Sequence, residues 1–178
     1  MTPEPQALVV DASIAIRFLK REPGWEDARD RLRSARLPDG RLLVPSAFWL
    51  EVLNVLARRY RLTPKTILQA IAELDALELE TVDLDRPMLL LALDAVARHG
   101  LTAYDAAYLA LAEWADAGLL TADARVAAAA GDRAQFVGDG LPPPVMAEAP
   151  AAYAATWADW PGAAAYLRRL RTRVAETA

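Results

Sequence analysis

Short apolar runs alternate with longer amphipathic stretches along residues 7–137, and this alternation restricts the possible folds more than any other feature of the sequence. The apolar runs predict strands, and the stretches between them space their apolar residues as helices do. Such alternation predicts an α/β fold with a mostly parallel sheet of about five strands, flanked by helices on both faces. The predicted strands cover residues 7–10, 41–44, 79–84, 119–121 and 135–137.

Capping residues define the predicted helix ends. Thr63 and Thr102 have the side chains that N-caps favour, and Gly118 is predicted to end the helix that Thr102 begins. Ser46 is predicted to cap a long helix that runs to about Arg61. The predicted helices cover residues 13–20, 25–36, 46–61, 65–77, 87–99, 103–117 and 123–130.

The strand–helix pattern ends near residue 138, which divides the chain into two predicted parts. Residues 1–138 are predicted to form one domain, and residues 139–178 a proline-rich linker with a helical C-terminal extension. The first residues, MTPEPQA, lack the basic start and apolar segment of a signal peptide. The longest apolar run, 106–112, is too short to span a membrane, so we expect a cytoplasmic protein without a membrane partner.

The composition excludes several kinds of chemistry. The chain has no cysteine and one histidine, which excludes disulfides, thiolate nucleophiles and cysteine-ligated metals, and disfavours most zinc hydrolases. The glycine-rich fingerprints of phosphate-loop and dinucleotide-binding proteins are absent as well. Any chemistry is therefore expected to depend on carboxylates, hydroxyls and a hard metal ion.

Two acids stand directly after predicted strands. Asp11 follows the first strand and Asp123 closely follows the fourth. In parallel sheets, ligands bind in the crevice at the carboxyl ends of the strands, so both acids are candidates for a binding site. Because each also precedes a helix and Asp is a favoured N-cap, capping explains them nearly as well.

Two further acids lie inside predicted helices. Glu51 forms a stripe with Asn54 and Arg58, which an ordinary polar helix face would explain, although apolar residues surround it on both sides. Asp105 is the only charged residue between 103 and 112, in a helix that is otherwise apolar and therefore predicted to be buried. A buried carboxylate needs a partner, a proton or a cation, so Asp105 is a candidate site residue.

Together these segments resemble the PIN-domain ribonucleases, and within them the VapC-type toxins of type II toxin–antitoxin pairs. The resemblance covers residues 7–138, which would then form a PIN-like domain. The matching segments, in order, are VVDAS at 9–13, VPS at 44–46, EVLN at 51–54, HGLTAYDAAYLALA at 99–112 and LLTAD at 119–123.

The resemblance implies an active site. Its acidic quartet would be Asp11, Glu51, Asp105 and Asp123, with supporting positions at Ser13, Asn54 and Thr121. Four converging carboxylates repel one another, and Mg²⁺ or Mn²⁺ relieves that repulsion. Asp11, Asp105 and Asp123 would bind the ion, with Glu51 as a ligand directly or through water. The implied reaction is hydrolysis of RNA by a metal-activated water, and the implied partners are a cognate antitoxin and a second copy of the chain.

Two alternatives remain open at this stage. One is a PIN-like module that binds RNA or metal without cleavage. The other is a metal-dependent phosphatase or DNA nuclease built on a similar sheet.

The charge distribution allows a nucleic-acid substrate despite the net charge of −4. Basic residues cluster at Arg17, Lys20 and Arg21, and again along residues 29–41 and 58–65 and in the C-terminal extension. These groups would either contact RNA phosphates or form solvated helix faces.

Overall fold

A computed structural model describes residues 7–36 and 40–138, in which five strands alternate with seven α-helices. The predicted linker and helical extension at 139–178 lie outside the described residues. The strands are β1 (Ala7–Val10), β2 (Arg41–Pro45), β3 (Glu80–Val82), β4 (Gly118–Thr121) and β5 (Ala134–Phe136). The helices are α1 (Ala12–Lys20), α2 (Trp25–Ala35), α3 (Ala47–Asn54), α4 (Pro64–Asp75), α5 (Arg86–His99), α6 (Ala103–Trp114) and α7 (Ala124–Ala130).

The five strands form one sheet in the order β3–β2–β1–β4–β5, and every pairing is parallel. This confirms the predicted α/β fold with a parallel sheet. From β1 the chain moves outward to β2 and β3, then returns to place β4 on the other side of β1. The direction of winding therefore reverses between β1 and β4, which is where such sheets open a ligand-binding crevice.

The register at this reversal aligns the ends of the two strands. Val10 lies opposite Leu120, and the backbone N–H of Asp11 donates to the Leu120 carbonyl at 3.0 Å. Asp11 and Thr121 therefore emerge side by side at the carboxyl edge of the sheet.

Both faces of the sheet are covered. Nearly every residue of β1, β2 and β4 is buried, as expected for parallel strands between two helical layers. Helix α1 contacts α2, α3 and α4, whereas α6 contacts α5 and α7 and also packs on β1, β2 and β4. Right-handed crossovers place these two groups of helices on opposite faces, because the winding direction differs between them. No helix in the described part of the chain has both the length and the apolar character to cross a bilayer.

The predicted helix from Ser46 to about Arg61 is wrong in two respects. Ser46 has helical dihedrals where an N-cap is normally extended, and its side chain makes no capping hydrogen bond. Its backbone N–H donates to the Val82 carbonyl at 2.9 Å. The α-helical part ends at Asn54, and a π-helical turn, Val55–Arg59, continues it.

The predicted helix end at Gly118 is also wrong. Helix α6 ends at Trp114, and Asp116 takes the left-handed conformation, with φ 48°. Asp tolerates this conformation better than most residues, so the glycine is not needed there. Gly118 is instead the first residue of β4, opposite Leu8 of β1.

Candidate active site

Asp11 is the most deeply buried of the four candidate acids, with 4% of its surface exposed. Its Oδ1 accepts from the backbone N–H of Ser13 at 3.3 Å, which caps α1. Its Oδ2 accepts from the Ser13 hydroxyl at 2.8 Å and from the Thr121 hydroxyl. Asp11 therefore caps a helix and lies at the strand-end crevice at once, so the two interpretations of its sequence position do not compete.

The Ser13 and Thr121 hydroxyls also fix the loop between β4 and α7. The Ser13 Oγ accepts from the backbone N–H of Ala122 at 2.9 Å, and the Thr121 Oγ1 accepts from that of Asp123 at 2.9 Å. Each hydroxyl has a single proton, and both protons are donated to Asp11. The two predicted supporting residues thus tie Asp11 to the segment that carries Asp123.

Opposing effects act on the Asp11 carboxyl. Burial raises its pKa, whereas the hydrogen bonds from Thr121 and Ser13 lower it, and the nearby Asp105 carboxylate raises it slightly. The net direction is upward because burial dominates. The hydrogen bonds orient the carboxylate as an acceptor, whereas burial disfavours its charged form.

Glu51 faces the same crevice from α3. Its Oε2 accepts from the Tyr108 hydroxyl at 2.8 Å, and the side chain is partly buried. Burial raises the pKa of Glu51 to about 7, and the carboxylates of Asp11, Asp105 and Asp123 add to the rise against the opposing hydrogen bond from Tyr108. The four candidate acids are therefore close enough to influence one another.

Tyr108 is a site residue that the sequence analysis did not identify. It lies in α6 with 1% of its surface exposed, and burial together with the Asp11 and Glu51 carboxylates raises the pKa of its phenol. It therefore stays neutral and donates its proton to Glu51. The sequence places this tyrosine in an alanine- and leucine-rich helix. Because a buried phenol needs a partner for its hydroxyl, that position could have indicated a polar contact inside the protein.

Asp105 and Asp123 both lie at helix starts. Asp105 is in the first turn of α6, where Thr102 accepts its backbone N–H at 3.2 Å. Asp123 caps α7 through Oδ1, which accepts from the amides of Arg125 at 2.7 Å and Val126 at 3.2 Å. The positive end of the helix dipole favours a carboxylate at both positions.

The predicted burial of Asp105 is only partly correct. Residues 106–112 are buried, but Asp105 itself is half-exposed. The helix emerges from the core at its first turn, so the surroundings of Asp105 are less apolar than its sequence neighbours indicate.

Asn54 is the one predicted supporting residue that does not reach the crevice. It is exposed at the end of α3, while the cleft beside it is lined from the same chain segment by Glu51, Val55 and Arg59. The two other predicted supporting residues, Ser13 and Thr121, contact Asp11 directly.

A cleft of about 360 Å³ opens at this edge of the sheet. Ser13, Glu51 and Asp123 contribute to its walls, together with the cationic side chains of Arg17 and Arg59. Eight ion pairs occur in the described ranges 7–36 and 40–138, and none of them involves a member of the quartet. The four carboxyl groups are therefore not neutralised by a basic side chain of this region.

The carboxyl groups do not form a ready-made metal cage. Among the described residues, no three acidic or histidine side chains are placed so that they could hold a metal ion. Protein donors engage three of the four groups, since Asp11 binds hydroxyls, Glu51 binds a phenol and Asp123 binds helix amides. The donor chemistry nevertheless fits a hard divalent cation, because none of the four carboxylates forms an ion pair with a basic residue of the described ranges and the other three contribute to the raised pKa of Glu51.

Comparison with known proteins adds a family and a fold. The family model of the PIN domain matches residues 8–132. A solved structure described as "Toxin-antitoxin complex from Klebsiella pneumoniae" has a similar fold, with a TM-score of 0.57 and 18% sequence identity over 74% of this chain and 98% of that chain. No curated protein matches the sequence.

Proposed function

The chain belongs to the PIN domain family, and on that premise we propose that it is a divalent-metal-dependent endoribonuclease and the toxin of a toxin–antitoxin pair. The observation that carries the proposal is the position of the four carboxyl groups. Glu51 and Asp123 line the cleft at the edge where the sheet reverses its winding, and the carboxylates of Asp11, Asp105 and Asp123 all raise the pKa of Glu51. None of the four acids has a basic partner in the described region.

In this proposal, Asp11, Asp105 and Asp123 hold Mg²⁺ or Mn²⁺, and Glu51 takes part directly or through a water. The bound ion would supply an activated water and stabilise the leaving oxygen of the scissile phosphodiester. The protein side chains would orient the metal-binding carboxylates. Ser13 and Thr121 keep the Asp11 carboxylate in one orientation, and Tyr108 does the same for Glu51.

Arg17 and Arg59 complete the proposed reaction site with positive charge. Both line the cleft that Glu51 and Asp123 also line. A phosphodiester that approaches four carboxylates is repelled, so cationic groups on the wall would help to hold it.

The proposal is tested with purified protein, a single-stranded RNA and either Mg²⁺ or Mn²⁺. We expect cleavage that stops when EDTA is added and that the Asp11→Asn variant loses. Asp75→Asn, which removes an exposed acid at the end of α4, is the matched control and should keep full activity. Full activity of Asp11→Asn, or cleavage that persists in EDTA, would contradict the proposal.

Substrate controls separate the related activities. Single-stranded DNA and a phosphomonoester, assayed beside the RNA, distinguish a ribonuclease from a DNA nuclease or a phosphatase. If the DNA or the phosphomonoester is hydrolysed as fast as the RNA, the proposed RNA specificity is wrong.

The toxin role and the homodimer extend the proposal beyond the site. The solved structure with a similar fold is a toxin–antitoxin complex, which supports an antitoxin partner for this chain. Expression in the cytoplasm of a bacterial host should arrest growth for the wild type and not for Asp11→Asn. Light scattering of the purified chain tests whether two copies associate.

A second candidate function is a module that binds RNA or metal without cleavage. The absence of a metal-holding group of three among the described acids favours it. Metal binding detected by calorimetry, with no cleavage of any nucleic acid, would select this candidate.

A further inference from the structure

Trp25 contacts two arginine side chains, those of Arg21 and Arg29. The guanidinium of Arg21 lies 4.0 Å from the centroid of the Trp25 ring, and that of Arg29 lies 5.1 Å from it. Arg29 also pairs with Asp30 at 2.9 Å, whereas no acid of the described residues pairs with Arg21. Because both cations contact the ring, the indole acts as a support that fixes their positions.

Tyr60 holds a second pair of cations close by. The Lys20 ammonium lies 4.9 Å from the centroid of its ring, and the Arg59 guanidinium lies 5.4 Å from it. The Tyr60 hydroxyl donates to Glu22, which lies 3.9 Å from the Arg59 Nη2. Glu22 thus offsets part of the charge of Arg59, while Lys20 has no ion pair within the described ranges.

Arg17 connects these cations to the acidic cleft. It lines that cleft and also a neighbouring cavity of about 560 Å³, whose walls include Gly24, Asp27 and Val137. Its Nη1 donates to the Pro23 carbonyl, but its Nε is buried without a hydrogen-bond partner. No acid of the described region forms an ion pair with Arg17, so its charge remains available to a ligand.

From these contacts we propose that the basic surface binds the phosphate backbone of the RNA strand that flanks the cleavage point. The basic surface consists of Arg17, Lys20, Arg21, Arg29 and Arg59. This inference rests on the proposed nuclease function, because it assigns the path of that enzyme's substrate outside the acidic cleft.

The chemistry of the surface favours a phosphate backbone. Three of its five cations lack an acidic partner in the described residues, so they can exchange solvent counterions for phosphates. The Trp25 and Tyr60 rings hold four of them, which limits the side-chain freedom that binding would otherwise remove. Arg17 and Arg59 belong to the cleft wall as well, so a strand on this surface leads directly to the quartet.

The surface is tested by RNA binding in EDTA, where cleavage does not interfere. Fluorescence anisotropy of a labelled single-stranded RNA, measured over a range of salt concentrations, gives the affinity and its salt dependence. Each lost phosphate contact lowers the slope of log K against log salt by about 0.7 for a single strand. We therefore expect a change of about 0.7 for Arg21→Gln and about 1.4 for Lys20→Gln/Arg21→Gln.

Two further variants test whether RNA affinity depends on where the cations lie or only on the net charge of the protein. Arg86→Gln removes another exposed arginine, at the start of α5, that forms no ion pair within the described residues, and it should leave both affinity and slope unchanged. Trp25→Leu keeps every charge but removes the ring that holds Arg21 and Arg29, and it should weaken RNA binding several-fold. The cleavage assay of the surface variants should show a raised KM with little change in kcat.

The outcomes distinguish this inference from the nuclease proposal. If RNA binding depends on Arg21 but no cleavage is detected under any condition, the RNA-binding surface is supported and the proposed nuclease activity is contradicted. An equal loss in Arg21→Gln and Arg86→Gln would overturn the surface, as would no loss in the double variant. A poly-glutamate peptide that binds as tightly as RNA would overturn the proposal and assign the surface to an acidic protein segment.

Discussion

Three of the candidate carboxylates lie at helix starts that a side chain caps, whereas the fourth lies inside a helix without such a cap. Asp11 and Asp123 are themselves the caps of α1 and α7, and Asp105 follows the Thr102 cap of α6. Glu51 lies in α3, and its carboxyl group is held by one contact from another helix, the Tyr108 hydroxyl. Asp105 and Asp123 depend on contacts within a few residues, and Asp11 adds to such contacts the hydroxyl of Thr121 from β4. Glu51 depends on tertiary packing alone.

This difference determines how each acid responds to change. Asp11 and Asp123 accept from backbone amides at the starts of α1 and α7, and the register of β1 with β4 brings Thr121 beside Asp11, so their orientation follows from the fold. Glu51 has one phenol partner and three carboxylate neighbours, and its pKa is raised to about 7. Its charge is therefore sensitive to pH and to bound cations, and its position depends on α6.

The largest expected effect is on catalysis, and it separates Asp11 from Glu51. Asp11→Asn should lower RNA cleavage by at least about 100-fold, because the amide group loses the charge and presents N–H donors to the Ser13 or Thr121 hydroxyl. Glu51→Gln should lower it by about 10-fold, because Glu51 takes part directly or through a water and its carboxyl group is held by a single phenol contact. The measurement is kcat/KM at saturating metal. Equal losses would contradict the distinction between the two acids.

The next effect is on stability, measured by urea unfolding in EDTA. Thr121→Val should cost about 2–3 kcal/mol, because it removes a donor to the buried Asp11 carboxylate and the acceptor of the Asp123 amide. Tyr108→Phe should cost about 1 kcal/mol, since it removes one hydrogen bond to a partly exposed group. If Tyr108→Phe proved the more destabilising, the packing contact and not the strand-end network would dominate the stability of the site.

The pH dependence of stability tests Glu51 alone. Its folded pKa of about 7 lies above the ordinary value of 4.5, so its contribution is fully present below pH 4.5 and is lost as the pH rises through 7. Without metal, the wild type should therefore lose about 1–2 kcal/mol relative to Glu51→Gln between pH 5 and 8, after allowance for solvent screening of a partly exposed group. Asp11 is present in both proteins, so the difference reports Glu51 together with its coupling to the other carboxylates. Parallel stability curves would show that the pKa of Glu51 is ordinary.

The smallest effects concern the caps. Thr102→Ala should destabilise the protein by about 1 kcal/mol, because the Asp105 amide loses its acceptor at the start of α6. Ser46→Ala should change stability by less than about 0.5 kcal/mol, because the Ser46 side chain makes no capping hydrogen bond. Thermal unfolding of both variants checks the pair, and a larger cost for Ser46→Ala would mean that α3 is capped after all.

Strands β1, β2 and β4 could be predicted closely from the sequence, because each is a short apolar run with a turn or cap signal beside it. Strands β3 and β5 are three-residue edge strands with polar residues, and their bounds, Glu80–Val82 and Ala134–Phe136, differ from the predicted 79–84 and 135–137. The helix starts at Thr63 and Thr102 are confirmed by capping hydrogen bonds, since the relevant donor lies only three residues away. The errors occurred where the backbone conformation departed from the local signal. Ser46 has helical dihedrals and its side chain makes no capping hydrogen bond, and Asp116 takes the left-handed conformation after α6 in place of a glycine.

The sequence by itself determined that Asp11 and Asp123 lie at strand ends and helix starts, because both features depend on neighbours within a few residues. Only the tertiary structure decided that Glu51 lies close to the other three acids, that Tyr108 donates to it, and that Asp105 is half-exposed. The Glu51–Tyr108 contact joins residues 57 positions apart, and helical periodicity describes one helix face without specifying what packs against it. The raised pKa of Glu51 is likewise a property of the assembled cleft, since burial and three other carboxylates produce it together.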